Sequence, residues 1–331
     1  MEDHFIKERQ RNLDKVILFL KFFFSKVPML LNLIRILRDS RYFYHILQGL
    51  FTTHNSRQTL KKIEKIFFKK RVKLASEFKL NNKEVNRYQE LLEDGLIVNP
   101  LNLDLEVIKT IKANLSSKLC HDPEKPELGY FTIDKSPEGI ARAYYMCEDV
   151  AKVAGVIEIA NNPIILNYVT AYFGALPSID YIGCWWSLPS KATSLTQNFH
   201  RDIDTLHSLK FFIYLTDVDN ESGPHVYIKN SIDKVFETSK DKMHDDIEIE
   251  SNFATKSIIK LKGKAGSSFL ADTFAFHKGL TPKKNPRLLL QVIYSLKQTP
   301  FGPKRPFLDK HEVSLGSLGK NYRLVNKHIM R

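Results

Sequence analysis

The spacing of apolar residues changes about a quarter of the way along this chain. From residue 5 to about 80, Ile, Leu and Phe recur every three or four positions with lysine and arginine between them. Ile63-Glu64-Lys65-Ile66-Phe67-Phe68-Lys69-Lys70 shows the i, i+3, i+4 pattern of an amphipathic helix, and Pro28 marks a helix break or start. Asn81-Asn82-Lys83 reads as a boundary, with Asn82 as cap of a helix holding Tyr88, Leu91 and Leu92. Asp94-Gly95 ends that helix, and Leu96-Ile97-Val98 forms a short strand closed by Asn99-Pro100. A further helix covers about 104–118, a loop surrounds Pro123 to Pro126, and 147–174 is again helical. Beyond that, short β runs dominate: Tyr181–Leu188, Gln197–Asp202, Leu209–Leu215, His225–Lys229, Ser257–Leu261, Ser267–Leu270, Thr273–His277 and Leu288–Tyr294. Asp219-Asn220-Glu221-Ser222-Gly223-Pro224 is a strong turn, while 231–256 is polar and reads as an insertion. Many short strands parted by turns predict a sandwich or jelly roll rather than a parallel sheet.

Composition narrows the class. The chain has 331 residues, 43% hydrophobic and 26% charged, as an ordinary globular protein does. Cys120, Cys147 and Cys184 are odd in number and lack a CxxC pair, which points to a reducing, cytoplasmic setting without a disulfide framework. Of the net charge of +13, residues 1–80 supply most, with 18 Lys/Arg against 7 Asp/Glu. That arm carries two very apolar runs, Val16 to Phe24 and Val27 to Ile34, but Lys21, Lys26, Arg35 and Arg38 interrupt them. No run reaches the roughly 20 uncharged residues a membrane span needs, and no cleavage site follows. Peripheral contact with an anionic membrane is the functional expectation for the arm, with Phe19, Phe22, Phe23, Phe24, Leu30 and Leu31 as the inserting residues. Packing against the β region is the plainer one. No nucleic-acid reading motif occurs, and the arm is too apolar for that role.

Candidate chemistry sits in Asn198-Phe199-His200-Arg201-Asp202. His200 and Asp202 are two apart, so on a strand both leave the same face. A second histidine, His277, lies in Phe274-Ala275-Phe276-His277-Lys278-Gly279-Leu280. Two imidazoles and one carboxylate form the facial triad that holds Fe(II) with three positions open. Ten residues on, Arg287 opens the run Leu288 to Tyr294, where its fork suits a carboxylate beside the metal. A single HxD is weak; a second, His244-Asp245-Asp246, falls in the charged insertion and reads as solvated surface. Trp185 and Trp186 should point to opposite faces, Lys210 should face outward, and Gln197 is either a cosubstrate contact or a structural amide.

The ordered set resembles the phytanoyl-CoA dioxygenase-like group of Fe(II)/2-oxoglutarate oxygenases. The likeness lies in Phe199 to Asp202, in Leu215 to Pro224, in Lys264-Ala265-Gly266, in Asp272 to Gly279 and in Asn285-Pro286-Arg287; it spans about 85–300. Ile228-Lys229-Asn230-Ser231 departs from the family's Pro-Gly-Ser-His-like ending, and Gly279 lacks the polar side chain of some relatives. The resemblance implies a double-stranded β-helix (a jelly roll of the cupin type) flanked by helices, an α+β protein with an N-terminal helical extension. Its domains would be 1–80 as basic helical extension, 81–305 as oxygenase and 306–331 as basic tail. It also implies Fe(II) on His200, Asp202 and His277, 2-oxoglutarate held by Arg287 with Gln197 near, O2 as cosubstrate, and hydroxylation of a small organic molecule with release of succinate and CO2. The competing reading is a non-catalytic or zinc-containing jelly-roll protein serving as a membrane-associated binding module; His2Asp suits zinc too, but leaves Arg287 without a role.

Overall fold

The computed structural model describes residues 33–49, 54–190, 198–234, 243–312 and 318–331. Gln197, Pro28 and the arm phenylalanines Phe19, Phe22, Phe23 and Phe24 lie outside them, as do Leu30 and Leu31. Within the described arm the helical reading holds: α1 (Arg41–Gly49), α2 (His54–Phe67) and α3 (Lys69–Ala75). Next comes α4 (Asn82–Asp94), whose cap is Asn81 and not Asn82. The Asn81 side chain accepts from Glu84 N at 3.0 Å while Glu84 Oε2 accepts from Asn81 N at 2.9 Å. This reciprocal pair needs Glu three residues after the cap, which selects Asn81, and such caps contribute about 1 kcal/mol. Gly95 closes the helix at φ 78°, where a Cβ would also fall 2.4 Å from the Tyr227 hydroxyl.

Strand β1 (Leu96–Val98) and helix α5 (Leu105–Ser116) follow as expected. Three strands too short to show alternation were not foreseen: β2 (Cys120–His121), β3 (Tyr130–Phe131) and β4 (Arg142–Tyr145). The 147–174 region divides into α6 (Cys147–Ala151), α7 (Val156–Ala160) and α8 (Pro163–Phe173). Gly155 and Pro163 each start a new helix there.

The β region then runs β5 (Ser178–Ser187), β6 (Phe199–His200), β7 (Ser208–Tyr214), β8 (His225–Ile228) and β9 (Met243–His244). After α9 (Asp246–Asn252) come β10 (Ile258–Leu261), β11 (Ser268–Ala271), β12 (His277–Gly279) and β13 (Arg287–Ser295), with α10 (Tyr322–Val325) near the end. Two expected strands shrink. Among the described residues, Gln197–Asp202 retains only Phe199–His200, and of Thr273–His277 only His277 stays in a strand; the rest becomes a turn, because the Asp272 side chain accepts from Phe274 N at 2.9 Å and its carbonyl from Ala275 N at 3.1 Å.

The strands form two antiparallel sheets, ordered β1-β11-β7-β13-β5-β4-β2-β3 and β10-β8-β12-β6-β9. Alternation in the central strands of the larger sheet sorts side chains between two layers. Phe211, Ile213, Leu288, Leu290 and Val292 join the helices in one cluster, whereas Phe212, Tyr214 and Leu289 meet Tyr227 and Leu261 of the smaller sheet in another. Lys210, Arg287 and Gln291 share the parity of the second set, so polar groups enter the space between the sheets.

The described arm residues dock on this body. Arg71 donates to the Leu176 and Leu324 carbonyls at 2.8 and 2.9 Å, Arg41 to Gly302 and Pro303 at 3.0 and 3.1 Å, and Glu64 pairs with buried His207. Among the described residues no helix is long and apolar enough to cross a membrane. All three cysteines are buried and free.

Candidate active site

His200 and His277 stand directly opposite each other on neighbouring strands β6 and β12. Their rings lie 4.4 Å apart between centroids. Asp202 follows β6 and is tied down by its backbone N–H to Thr273 O at 2.8 Å. Its Oδ1 is 3.7 Å from His200 Nε2 and its Oδ2 is 3.3 Å from His277 Nε2. One ligand atom from each residue falls within 4.8 Å of the others, so the three converge on one point.

The tautomers suit a metal. His200 Nδ1 bonds the Asn198 carbonyl at 2.9 Å, and His277 Nδ1 bonds the Ala275 carbonyl at 2.9 Å. A carbonyl accepts, so the proton sits on Nδ1 and each Nε2 presents its lone pair to the shared point. Burial lowers the His200 pKa to about 4, with His277 adding to the effect, which keeps that ring neutral. Burial also works against a charged Asp202, but the Lys210 ammonium outweighs it and holds the carboxyl well below the usual range.

Lys210 corrects an expectation. It does not face outward: it is 6% exposed and its ammonium lies 2.7 Å from Asp202 Oδ2 and 2.7 Å from Asp204 Oδ2. Burial favours the neutral amine, yet the two carboxylates prevail and raise its pKa. The second HxD is corrected as well. His244 is buried, pairs across from Phe199 in β9 and bonds Glu248 at 2.9 Å, while Asp245 caps α9. Only His244 leaves the solvent, at the sheet edge; Asp245 and Asp246 stay exposed, as expected.

A cavity of about 240 Å³ opens beside the triad, lined by Tyr144, Trp185, Lys210, His225, Arg287 and Gln291 among others. A larger one of about 420 Å³ lies around Phe78, Pro163 and Tyr322, and no triad residue lines it. Arg287 is buried at the start of β13. Its Nη1 donates to Gly223 O and its Nη2 to Ser187 Oγ at 3.1 Å, but Nε has no partner. His225 stacks on His277, with ring centroids 5.3 Å apart, and its buried Nε2 is likewise unpartnered. Unsatisfied buried donors cost about 1–3 kcal/mol each, which a ligand carboxylate would offset. A Cβ on Gly279 would lie 3.4 Å from Arg287 Nη2, so its missing side chain leaves the guanidinium room.

The tryptophans divide as expected. Trp185 stacks on Tyr144 at 5.4 Å in the cavity wall, while Trp186 packs in the core and donates to the Tyr145 hydroxyl at 3.0 Å. The Gly-Pro turn is built by Asp219 Oδ1, which accepts from Glu221 N at 2.9 Å and Ser222 N at 3.0 Å. Gly223 sits at φ 68°, where a Cβ would strike the Leu280 carbonyl at 2.3 Å. Asn230 adopts φ 54°, so Asn230-Ser231 does form a turn. Lys210 and His225 are the site residues that sequence reasoning missed. The signal for Lys210 was its parity with Phe212 and Tyr214; for His225 it was only its place after the Gly-Pro turn.

No family model and no curated protein matches this sequence. Solved structures do. EctD from S. alaskensis, determined with 2-oxoglutarate and 5-hydroxyectoine, aligns with TM-score 0.50 at 15% identity over 70% of this chain and 84% of that one. This chain shares that fold. HygX from Streptomyces hygroscopicus, with nickel and 2-oxoglutarate bound, gives TM-score 0.46 at 12% identity over 73% of this chain and 95% of its own. The epimerase SnoN, in complex with Fe3+, α-ketoglutarate and nogalamycin RO, gives 0.47 at 14% identity over 64% and 83%.

Proposed function

We propose that this protein is an Fe(II)- and 2-oxoglutarate-dependent oxygenase of the phytanoyl-CoA dioxygenase-like group, built on a double-stranded β-helix, that hydroxylates a small organic substrate. The observation that carries the reading is the convergence of His200 Nε2, Asp202 and His277 Nε2 beside a buried arginine with a free Nε. The donor set fits the metal: two neutral imidazoles and one carboxylate leave three positions open. When bound together, Fe(II), 2-oxoglutarate and O2 supply oxidative decarboxylation, giving succinate, CO2 and one oxygen atom for the substrate.

The protein's own part is placement. The carbonyls of Asn198 and Ala275 hold the imidazoles in the ligating tautomer. Arg287, anchored by Gly223 and Ser187, presents Nε and the rest of its fork to the far carboxylate of the cosubstrate. His225 Nε2 offers a further polar contact in the same cavity. Trp185 and Tyr144 form a stacked aromatic wall of the cavity against which a substrate can pack.

The test is succinate release by full-length protein supplied with Fe(II) and 2-oxoglutarate in air, across a panel of small organic substrates. Succinate that depends on both Fe(II) and Arg287, with a product heavier by one oxygen, supports the proposal. No succinate under any substrate, including the slow uncoupled reaction, contradicts it.

A further inference from the structure

A buried lysine beside a metal-binding carboxylate needs a reason. Lys210 sits on β7, paired on one side with Ala271 and on the other with Ile293, so its backbone is fixed in the middle of the larger sheet. Its ammonium reaches Oδ2 of both Asp202 and Asp204 at 2.7 Å. The two carboxylate oxygens are therefore no more than twice that distance apart. Two oxygens bound to one divalent ion at about 2.0–2.2 Å come to within roughly 3 Å of each other. Asp204 is thus close enough to Asp202 to become a fourth protein ligand by moving, and the ammonium between the two carboxylates holds it where it is.

We propose that Lys210 is a clasp that holds Asp202 in single-oxygen presentation and keeps Asp204 off the metal. The inference rests on the metal reading above. A carboxylate with Oδ2 engaged by Lys210 has Oδ1 left for the ion, so it binds through one atom and occupies one position. With Asp204 held on the same ammonium, three positions stay open, two for a chelating 2-oxo acid and one for O2. Without the clasp, two carboxylates two residues apart are drawn onto the same cation, and the site closes toward a saturated two-carboxylate arrangement. Lys210 is a positioning residue here; it acts through Asp202 and Asp204.

The experiment measures Co(II) binding alone, then 2-oxoglutarate binding to the Co(II)-loaded full-length chain, by calorimetry and visible absorption. Lys210→Met is expected to bind Co(II) about tenfold tighter or more, with an altered visible spectrum, and to lose about tenfold or more in 2-oxoglutarate affinity. Lys210→Met with Asp204→Asn should return both quantities and the spectrum toward wild type, which a merely structural lysine would not produce. Weaker or unchanged Co(II) binding in Lys210→Met, or no recovery in the double variant, overturns the clasp. Asp204→Asn alone serves if Lys210→Met does not fold: an unchanged spectrum and 2-oxoglutarate affinity within about twofold are expected. A changed spectrum there makes Asp204 a ligand of the wild type and refutes the proposal. Wild type that binds no Co(II) defeats the metal reading itself, a distinguishable outcome.

Discussion

Replacing Arg287 with alanine separates two jobs that the structure gives one side chain. Toward the protein, Arg287 satisfies the Gly223 carbonyl and the Ser187 hydroxyl. Arg287 also lines the cavity, and its buried, unpartnered Nε is ready for a carboxylate. Charge-assisted hydrogen bonds contribute about 1.5–3 kcal/mol each, so losing a two-point clamp should weaken 2-oxoglutarate by about 3–6 kcal/mol. At 1.4 kcal/mol per decade that is a rise in Kd of about a hundredfold or more. The same change strands two buried groups at about 1–3 kcal/mol each, so Tm should fall as well. Arg287→Lys keeps the charge but not the fork and should fall between. The assay is anaerobic calorimetry of Fe(II)-loaded protein with 2-oxoglutarate, beside thermal unfolding and iron content. Iron content should be unchanged, since Arg287 contacts none of the triad. A 2-oxoglutarate Kd within about threefold of wild type, with Tm still lowered, would refute the reasoning and make Arg287 a latch for the Gly223 turn alone.

Two further outcomes are expected. Burial, with Asp204 nearby, raises the Asp180 pKa to about 7. Because the folded value exceeds the unfolded one, its contribution to stability is full below about pH 4 and is lost as pH rises through about 7. Asp180→Asn should therefore raise Tm relative to wild type at pH 8 and lose that advantage at pH 5; an equal difference at both would contradict it. For the arm, we propose that residues before 33 add contact with an anionic membrane while 41–75 stay docked. Full-length protein should sediment with anionic vesicles at low salt and release at high salt, and failure to sediment removes the membrane role.

Much of this was legible because local rules and burial agreed. Asp94-Gly95 followed by Leu96-Ile97-Val98, the Asp219–Pro224 turn and the apolar run after Arg287 each follow from a single local preference. The triad was legible because His200 and Asp202 needed only a two-residue spacing, and His277 a strand to bring it opposite. What failed depended on partners far away in sequence. Nothing near Lys210 reveals that Asp202 and Asp204 curl back onto it, so an exposed lysine was the simpler expectation. His244 looked solvated because its neighbours Asp245 and Asp246 are charged, yet pairing with Phe199 buries it. The strand expected at 273–276 gave way to a local bond from Asp272, a competition that short polar side chains often win.

The most direct measurement of the central claim is the iron content of full-length protein reconstituted anaerobically with Fe(II), alongside His200→Ala, Asp202→Ala and His277→Ala. One iron per chain in the wild type, and strong loss in each variant with folding retained, is the result this account requires. Wild type that takes up no iron, or triad variants that keep it, would contradict the account.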